Sequence, residues 1–283
     1  MPCTIRRVPL AGRDGRTLPV DYTANSLAEA AQYEPENGVY GVFATWNGHR
    51  VVCLSRHLDR LEDSARRAGF GLSLIRDLLR SQLRQMLGDS GYAEARVRIS
   101  AAPGSDWLTV GMEPYSGPPA ELQMSGVACS TVGHAARDNP EAKQTGWLRE
   151  RSAFAAADPY AAYEQLLVDE QGRILEGVSS NFAAVVGEAN AGLLLTAGEG
   201  ILPGIARSIM LEVAQEVVTV KLRPPRVEEI DLFQEAFLTS ASRGIVPVIS
   251  VDGVTVGEGI PGPVTRRLIE RYDRRARELE ETL

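Results

Sequence analysis

The sequence predicts an α+β protein with two domains. Tight-turn dipeptides join β-rich runs into hairpins, most clearly at Asn47-Gly48 and Asp252-Gly253, because a type I′ turn needs positive φ twice. Helical segments alternate with these hairpins, which favours mixed layers over a doubly wound parallel sheet. The run Tyr115–Pro119 is rich in proline and glycine and predicts a linker. We therefore expect a small domain over residues 1–117 and a larger one over residues 118–283.

The chain up to residue 132 predicts strands on both sides of a pair of helices. Apolar residues on one face predict the first helix, and Gly69 is its stop signal. The predicted strands are 39–46, 49–54, 95–101, 107–112 and 121–132, and the predicted helices are about 56–68 and 72–87.

The remainder of the chain continues with short hairpin-linked strands and three helices. Pro203-Gly204 opens the second of these helices, and the C-terminal one is amphipathic and rich in charge. The predicted helices are about 147–165, 204–216 and 263–283, and the predicted strands are 166–169, 173–176, 181–186, 193–196, 217–221, 235–239 and 245–250.

Composition and net charge limit the classes of protein and of binding partner that fit this chain. The 283 residues are 44% hydrophobic and 24% charged, which is typical of a globular protein. A net charge of -7 disfavours a nucleic-acid partner. No apolar run is long enough for a membrane span, and the first residues lack the apolar core of a secretory signal. Three widely spaced cysteines indicate free thiols and a cytoplasmic location.

Several familiar motifs are absent or incomplete. Residues 257–262 match G-x-G-x-x-G, but neither a second strand nor an acidic residue about 20 positions further on follows, as a dinucleotide site requires. The sequence contains neither a P-loop nor a G-x-S-x-G nucleophile motif. His49, His57 and His134 are too scattered to predict a metal site, and His57 fits a capping or packing role at a helix start.

Lysine is scarce and therefore informative. Of the 30 basic residues, only Lys143 and Lys221 are lysines. Arginine does not deprotonate in proteins, whereas lysine in a suitable environment becomes a nucleophilic amine that can form a Schiff base. Lys143 lies in a loop before a predicted helix, where either a reactive group or a surface lysine would fit. Lys221 follows the run VVTV and is predicted to be a surface residue at a strand end.

Three further segments suit the same chemistry. Glu176 is the last residue of a predicted hairpin strand, where its carboxylate could hold a protonated ring nitrogen or lie at a sheet edge. Leu202–Arg207 begins a helix, whose free N–H groups bind phosphate. Thr239–Gly244 is rich in small hydroxyl side chains and could form a second anion site. A Schiff-base lysine, a ring-nitrogen carboxylate and two phosphate-binding turns are together what pyridoxal phosphate needs.

The chain resembles the class IV aminotransferases, the fold-type IV pyridoxal-phosphate enzymes. That family includes branched-chain aminotransferases, D-amino-acid aminotransferases and aminodeoxychorismate lyases. The resemblance covers about residues 26–270 and keeps the family's order of motifs. It rests on GVYGVFATWNGHRVVCLSRHLDRLEDSA, ARVRIS, EGVSSNF, LPGIAR and FLTSASRGIVPV, the last followed by VDGVTVGEGIPGPVTRRL. It implies two α/β domains with the cofactor between them, and a homodimer.

The resemblance also implies a role for each matching residue. Lys143 would be the catalytic Schiff-base lysine, and Glu176 would hold the pyridine nitrogen. The other implied cofactor-binding residues are Arg60, Asn181, Ile205, Ala206, Ala241 and Ser242. The candidates for the substrate side are Tyr40 and Phe43, which would shape the pocket, and Arg96, Arg98 and Arg243, each of which could equally form a structural ion pair.

The departures from the family pattern fall mainly on the substrate side. Ala44 stands where the family has glutamate, and Trp46-Asn47 where branched-chain enzymes have an arginine. Ala206 replaces the usual threonine but keeps its N–H. The run after Lys143 is Gln-Thr-Gly-Trp, so no residue is assigned to the cofactor's phenolic oxygen.

The expected activity is transfer of an amino group between a small-molecule amino acid and a 2-keto acid, in the cytoplasm, with no nucleic-acid, membrane or metal partner. Two alternatives remain. An aminodeoxychorismate-lyase-like enzyme would use the same cofactor and lysine but release pyruvate, and the SASRG segment leans toward it. A non-catalytic relative is the other alternative, against which the retained Lys143 argues.

Overall fold

The computed structural model describes residues 3–10, 16–117, 120–133, 135, 137, 139–187 and 192–283, so that His134 lies outside the described residues. The strands are β1 Thr4–Pro9, β2 Leu18–Pro19, β3 Val39–Trp46, β4 Arg50–Val52, β5 Ala95–Ala101, β6 Trp107–Pro114, β7 Val127–Gly133, β8 Glu164–Val168, β9 Ile174–Gly177, β10 Asn181–Val186, β11 Leu193–Leu195, β12 Thr219–Lys221, β13 Phe233–Ser240, β14 Gly244–Val251, β15 Val254–Thr255 and β16 Glu280–Thr282. The helices are α1 Leu27–Ala30, α2 Leu54–Arg67, α3 Arg76–Ser90, α4 Ala120–Ser125, α5 Trp147–Ala157, α6 Ile205–Ala214 and α7 Pro263–Glu278. None of the described helices combines the length and apolar character that crossing a membrane requires.

Contacts group the chain into two compact units. The first comprises Met1–Gly117, Ala142–Arg149 and Leu279–Leu283, and the second comprises Pro118–Glu141 and Glu150–Glu278. The segment that carries Lys143 therefore belongs to the first unit, which differs from the expectation that the C-terminal domain carries it.

Backbone pairing explains why the Lys143 segment lies with the first unit. The Tyr40 N–H donates to the Lys143 carbonyl at 2.9 Å. Val39 and Gln144 form an antiparallel bridge next to this bond. Because β4 pairs only with the end of β3, the Lys143 segment can pair with its beginning. Such long-range pairing has no signal in the local sequence around Lys143.

The first unit is built on a seven-stranded antiparallel sheet in the order β16-β4-β3-β5-β6-β1-β2. Helix α2 buries one apolar face, formed by Leu54, Leu58, Leu61 and Ala65 at helical spacing, in the core of this unit. Asn47-Gly48 makes the predicted hairpin turn, with φ of 48° and 83°. Strand β3 and helix α2 are the elements that position the functional side chains of this unit.

The sheet of the second unit runs in the order β12-β11-β10-β13-β14-β7-β8-β9, with β15 beside β14. Strand β9 pairs with β8 and also with β10, so six of the strands close into a ring. Apolar side chains fill the core of this unit, including the rings of Phe182 and Phe233 with centroids 6.3 Å apart. The ring closes at Glu176 and Asn181, which face each other across β9 and β10.

Three predicted elements differ from the structure over five or more consecutive residues. The strand predicted over 121–132 begins as helix α4 and becomes β7 only at Val127. The helix predicted over 147–165 ends at Ala157, because Glu164 already begins β8. The C-terminal helix ends at Glu278, and the residues after it form β16, whose backbone pairs with β4. In the second and third cases strand pairing with a distant segment overrides the local pattern.

The G-x-G-x-x-G match at residues 257–262 has a packing explanation. At Gly257, with φ of +55°, an added Cβ would lie 2.2 Å from a backbone carbonyl oxygen of β13, and at Gly262 one would lie 2.2 Å from the Glu235 carboxyl carbon. The two Glu235 oxygens accept the N–H groups of Val264 and Thr265 at 2.9 and 2.6 Å. A carboxylate thus occupies the N-terminus of α7, which leaves no phosphate site there.

Candidate active site

Three buried polar side chains form a row across neighbouring strands of the second unit. In the sheet register Glu176 on β9 faces Asn181 on β10, and Asn181 faces Thr239 on β13. Directly opposed residues point to the same face of a sheet. The three side chains are only 3, 4 and 3% exposed, in that order. Polar groups at this depth need partners, so the row marks a structured polar network inside an apolar unit.

Glu176 has partners on both carboxylate oxygens. Its Oε2 accepts hydrogen bonds from Asn181 Nδ2 and from the Leu202 N–H, both at 3.1 Å. Its Oε1 lies 3.3 Å from Nη1 of Arg137, whose Nη2 donates to the Pro140 carbonyl at 2.7 Å. Arg137 compensates the buried negative charge, and the other bonds fix its orientation. A carboxylate held in this way can bind a protonated ring nitrogen.

The same network reaches the start of α6. Asn181 Nδ2 also donates to the Leu202 carbonyl at 2.9 Å, and a Cβ at Gly204 would lie 2.0 Å from Asn181 Oδ1. Glycine is therefore required at the residue that precedes the helix. Within the described residues no side chain caps this helix start. The N–H groups of Ile205 and Ala206, together with the helix dipole, therefore suit an anionic ligand such as a phosphate.

A second candidate phosphate turn follows Thr239. The Thr239 hydroxyl is buried and has no hydrogen-bond partner in the described part of the chain. Ala241 and Ser242 lie next in the turn between β13 and β14 and are partly exposed. An orphaned buried hydroxyl costs free energy unless a ligand completes it. This observation fits a bound anion beside the turn.

Arg243, at the end of that turn, is anchored. It donates to Glu164 Oε2 at 2.9 Å from Nη1, to Ser240 Oγ at 2.8 Å from Nε, and to Ser179 Oγ at 2.9 Å from Nη2. Burial would raise the pKa of Glu164, but the Arg243 charge and hydrogen bonds from Ser180 and Ser179 hold it below its usual range. The pair is therefore ionised at neutral pH, and Glu164 compensates the Arg243 charge.

Lys143 lies beside β3 and α2 in the first unit. Its backbone N–H donates to Ser64 Oγ at 3.2 Å, and its carbonyl accepts the Tyr40 N–H at 2.9 Å. The Lys143 Nζ lies 4.7 Å from the centroid of the Tyr40 ring, within range of a cation–π contact. Hydrogen bonds of its N–H and carbonyl thus fix the Lys143 backbone between α2 and β3, and the amine lies over the Tyr40 ring.

Helix α2 carries two more groups of this site, Arg60 and His57. Burial lowers the pKa of the Arg60 guanidinium to about 10, an effect that Tyr40 opposes, and no carboxylate among the described residues pairs with it. His57 is 3% exposed, and its Nδ1 has no partner among the described groups. Burial, followed by the charges of Arg60 and Lys143, holds the pKa of His57 well below 6.5, so its imidazole is neutral at pH 7. Arg60 is thus a half-buried cation without a carboxylate partner among the described residues, which suits an anionic ligand.

The two arginines of β5 already hold carboxylates. Arg98 Nε donates to Glu34 Oε1 at 2.8 Å, and its guanidinium carbon lies 3.7 Å from the centroid of the Tyr40 ring. The Arg98 and Glu34 side chains are each only 6% exposed. Arg96 forms an ion pair with Glu113. Arg98 therefore supports the Tyr40 ring from a charge-compensated position.

The structure gathers most of the predicted residues into two groups, one in each unit. The first-unit group is Tyr40, Arg60, Arg98 and Lys143, and the second-unit group is Glu176, Asn181, Ile205, Ala206, Ala241, Ser242 and Arg243. Phe43 instead packs in the core of the first unit, with its ring centroid 5.3 Å from that of His57. Arg96 stands apart with Glu113.

Sequence reasoning missed the partners that fix these groups. Ser64 lies one helical turn after Arg60, so helical spacing alone could have indicated it. Glu34 and Glu164 carry no such signal, because their arginine partners are 64 and 79 positions away in the sequence.

The chemistry of the two groups fits pyridoxal phosphate. The first-unit group includes an amine, Lys143, and the second-unit group includes a fixed carboxylate, Glu176, which are the kinds of group that this cofactor needs. The Arg60 cation, the uncapped start of α6 and the turn beside the orphaned Thr239 hydroxyl all suit a phosphate.

Comparison with known proteins identifies a family and several relatives that are similar to this chain. The model of the family described as Amino-transferase class IV matches residues 38–251. The D-alanine aminotransferase of Bacillus licheniformis is 29% identical over 248 residues, which span 83% of this chain and 86% of that protein. The branched-chain-amino-acid aminotransferase of Salmonella typhimurium is 28% identical over 276 residues, which span 89% and 87%.

A solved structure shares the fold. The PLP-bound form of a hypothetical aminotransferase from Mycobacterium tuberculosis has a TM-score of 0.75 at 21% identity, over 96% of this chain and 99% of that one. This likeness confirms the α+β architecture. The relatives carry aminotransferase names, which does not favour the lyase alternative. With the family model matching most of its length, the chain belongs to the class IV aminotransferases and is a pyridoxal-phosphate-dependent transaminase.

Proposed function

We propose that this transaminase holds pyridoxal phosphate through the two groups of residues described above. Lys143 is the catalytic amine to which the cofactor binds, Arg60 binds its phosphate, and Glu176 binds its ring nitrogen. The phosphate also takes backbone N–H groups, those of Ile205, Ala206, Ala241 and Ser242. The row Glu176–Asn181–Thr239 carries this assignment, because it joins the ring-nitrogen carboxylate to both phosphate-binding turns.

The chemistry of the step is proton transfer at the α-carbon of the substrate. When bound, pyridoxal phosphate supplies an electron sink for the negative charge that develops there. The Lys143 amine, freed when the amino group of the substrate takes its place on the cofactor, would accept the proton from the substrate Cα and return it on the cofactor side as the amino group is transferred. Ser64 and Tyr40 hold the Lys143 backbone, so the amine reaches its target without a costly search for the right geometry.

Glu176 has a separate task, which is to keep a proton on the ring nitrogen. A carboxylate next to that nitrogen favours its protonated form. Asn181 and the Leu202 N–H fix the Glu176 oxygen, so this stabilisation is organised before the substrate binds.

The substrates we propose are an aliphatic α-amino acid and a 2-keto acid, as the names of the D-alanine and branched-chain relatives suggest. Tyr40 is the substrate-side residue with the clearest support, because its ring contacts Lys143. Arg98 supports Tyr40, while Arg96, Arg98 and Arg243 each have a glutamate that competes with the substrate carboxylate. Phe43, on the same strand as Tyr40, acts through packing in the core of the first unit.

We also propose that the protein works as a homodimer in the cytoplasm, without a nucleic-acid partner. The resemblance to the family supports the dimer, and the second unit has several exposed large apolar side chains that a second copy of the chain could contact. These side chains are Met124, Tyr160, Leu222, Leu232 and Ile260. Sedimentation of the purified protein measures the dimer directly, and a monomer at all concentrations would contradict it.

The test of the catalytic assignment compares the two lysines of the chain. Lys143→Ala should abolish both the visible absorption band of the bound cofactor and amino transfer to a keto acid. Lys221→Ala, at the exposed end of β12, should leave both unchanged and serves as the matched control. Amino transfer that survives Lys143→Ala would overturn the assignment. Pyruvate release without a keto-acid acceptor would instead establish the lyase reaction.

A further inference from the structure

Arg243 connects three segments of the second unit. Its guanidinium bonds Glu164 at the start of β8, Ser179 in the loop after β9, and Ser240 at the end of β13, at 2.8–2.9 Å. The Tyr163 hydroxyl is a further partner at 3.2 Å. One side chain thus ties the turn that contains Ala241 and Ser242 to the loop that leads from Glu176 to Asn181.

Glu164, the carboxylate partner of Arg243, is itself held by several hydrogen bonds. Glu164 is 2% exposed, and its Oε1 accepts the Ser179 N–H and the Ser180 hydroxyl at 2.7 Å each. A Cβ at Gly177 would lie 2.5 Å from the same oxygen. Glycine at position 177 is therefore explained by the buried carboxylate. The loop, the strand and the turn are all shaped around the Glu164–Arg243 pair.

The charge of the pair indicates what it does. Glu164 neutralises Arg243 at close range, so the pair presents little net charge to a ligand. The Nε, Nη1 and Nη2 atoms of Arg243 each donate to a protein oxygen. A neutralised guanidinium that is engaged at all three nitrogens contributes fixed geometry rather than attraction.

We propose that Glu164 and Arg243 are positioning residues that hold the turn after Thr239 in the conformation that binds the cofactor phosphate. This inference rests on the proposed function, in which Ala241 and Ser242 supply N–H groups to the phosphate. The pair acts through Ser240, whose hydroxyl accepts from Arg243 Nε. The orphaned Thr239 hydroxyl at the start of this turn is the neighbouring group that the phosphate would satisfy.

The experiment compares the affinity of the full-length protein for pyridoxal phosphate and for pyridoxal, which lacks the phosphate. Arg243→Gln and Arg243→Lys are measured beside Arg271→Gln, a control that breaks an exposed ion pair on α7. We expect Arg243→Gln to weaken pyridoxal phosphate binding by about tenfold or more, with pyridoxal affinity changed by less than about twofold. Arg243→Lys should fall between wild type and Arg243→Gln, and Arg271→Gln should match wild type.

A second variant distinguishes a role of the pair in positioning the turn from a role of its charge in attracting the phosphate. Glu164→Gln leaves an uncompensated cation beside the turn, so a role based on charge predicts tighter binding of pyridoxal phosphate. The positioning role predicts weaker binding, because the turn loses its anchor. Equal losses for both ligands, tighter binding in Glu164→Gln, or a raised KM for the amino donor with unchanged cofactor affinity would each overturn the inference. If wild type itself shows no preference for the phosphorylated ligand, the proposed function fails rather than this inference alone.

Discussion

Replacing Gly204 with alanine tests the polar network at its tightest point. The backbone there, with φ of -69° and ψ of 132°, suits alanine, so any effect comes from the added methyl group and not from backbone strain. The new Cβ would lie 2.0 Å from Asn181 Oδ1, whereas ordinary contact begins at 3.4 Å. The Asn181 amide must therefore move by about 1.4 Å, which a close-packed interior does not absorb freely.

That movement removes the two bonds that Asn181 Nδ2 makes, to Glu176 at 3.1 Å and to the Leu202 carbonyl at 2.9 Å. Two buried bonds at about 1–2 kcal/mol each amount to about 2–4 kcal/mol of stability. We expect the melting temperature to fall by about 5–15 °C. Affinity for pyridoxal phosphate should fall as well, because the same movement displaces the start of α6.

The assay is thermal unfolding of wild type, Gly204→Ala and Gly133→Ala, together with titration of each by pyridoxal phosphate. Gly133 ends β7, and a Cβ there meets none of the described atoms within 4 Å. The Gly133→Ala control should therefore stay within about 0.5 kcal/mol of wild type. If Gly204→Ala matches wild type in both stability and cofactor affinity, the contact reasoning for Asn181 is refuted.

Three other substitutions probe separate parts of the account. Glu176→Gln should lower the single-turnover rate constant of the reaction with the amino donor by about a hundredfold, because a neutral amide does not keep the ring nitrogen protonated. An unchanged rate constant would exclude Glu176 from that role. The pKa of His57 is lowered in the folded state, so the imidazole takes up a proton more readily in the unfolded chain once the pH falls below about 6.5. Wild type should therefore lose stability below that pH relative to His57→Gln, as measured by denaturant titration at each pH. A stability difference that stays constant between pH 7 and 5 would contradict the neutral buried imidazole. Glu235→Ala should cost about 1–2 kcal/mol of stability with little change in cofactor affinity, because it removes only the acceptor at the start of α7.

Local signals predicted much of the secondary structure. The strands 39–46, 95–101 and 181–186 have the bounds that alternation and apolar runs indicated. Asn47-Gly48 and Asp252-Gly253 form tight turns with positive φ, as the sequence predicted. These features depend on residues that are neighbours in the chain, so the sequence contains the information directly.

Strand and side-chain pairings between residues far apart in the sequence were not predicted. Strand β16 forms only because β4 offers backbone partners, although its residues continue a helical pattern. The pairing of Arg98 with Glu34 and of Arg243 with Glu164 joins segments far apart in the chain, so the sequence could not decide between a substrate role and a structural ion pair for these arginines. The segment of Lys143 joins the first unit through the backbone of Tyr40 for the same reason.

Lys143 is, in our proposal, the amine that carries the cofactor, and the scarcity of lysine in this chain makes a direct measurement simple. The protein is loaded with pyridoxal phosphate and treated with borohydride, which converts a lysine-bound cofactor into a stable secondary amine. Mass spectrometry of its peptides then locates the label, and only Lys143 and Lys221 offer a lysine amine. We predict that the label lies on Lys143 and that an amino-acid donor added before borohydride prevents it. Label on Lys221, or none on either lysine in a protein that binds the cofactor, would contradict this role of Lys143.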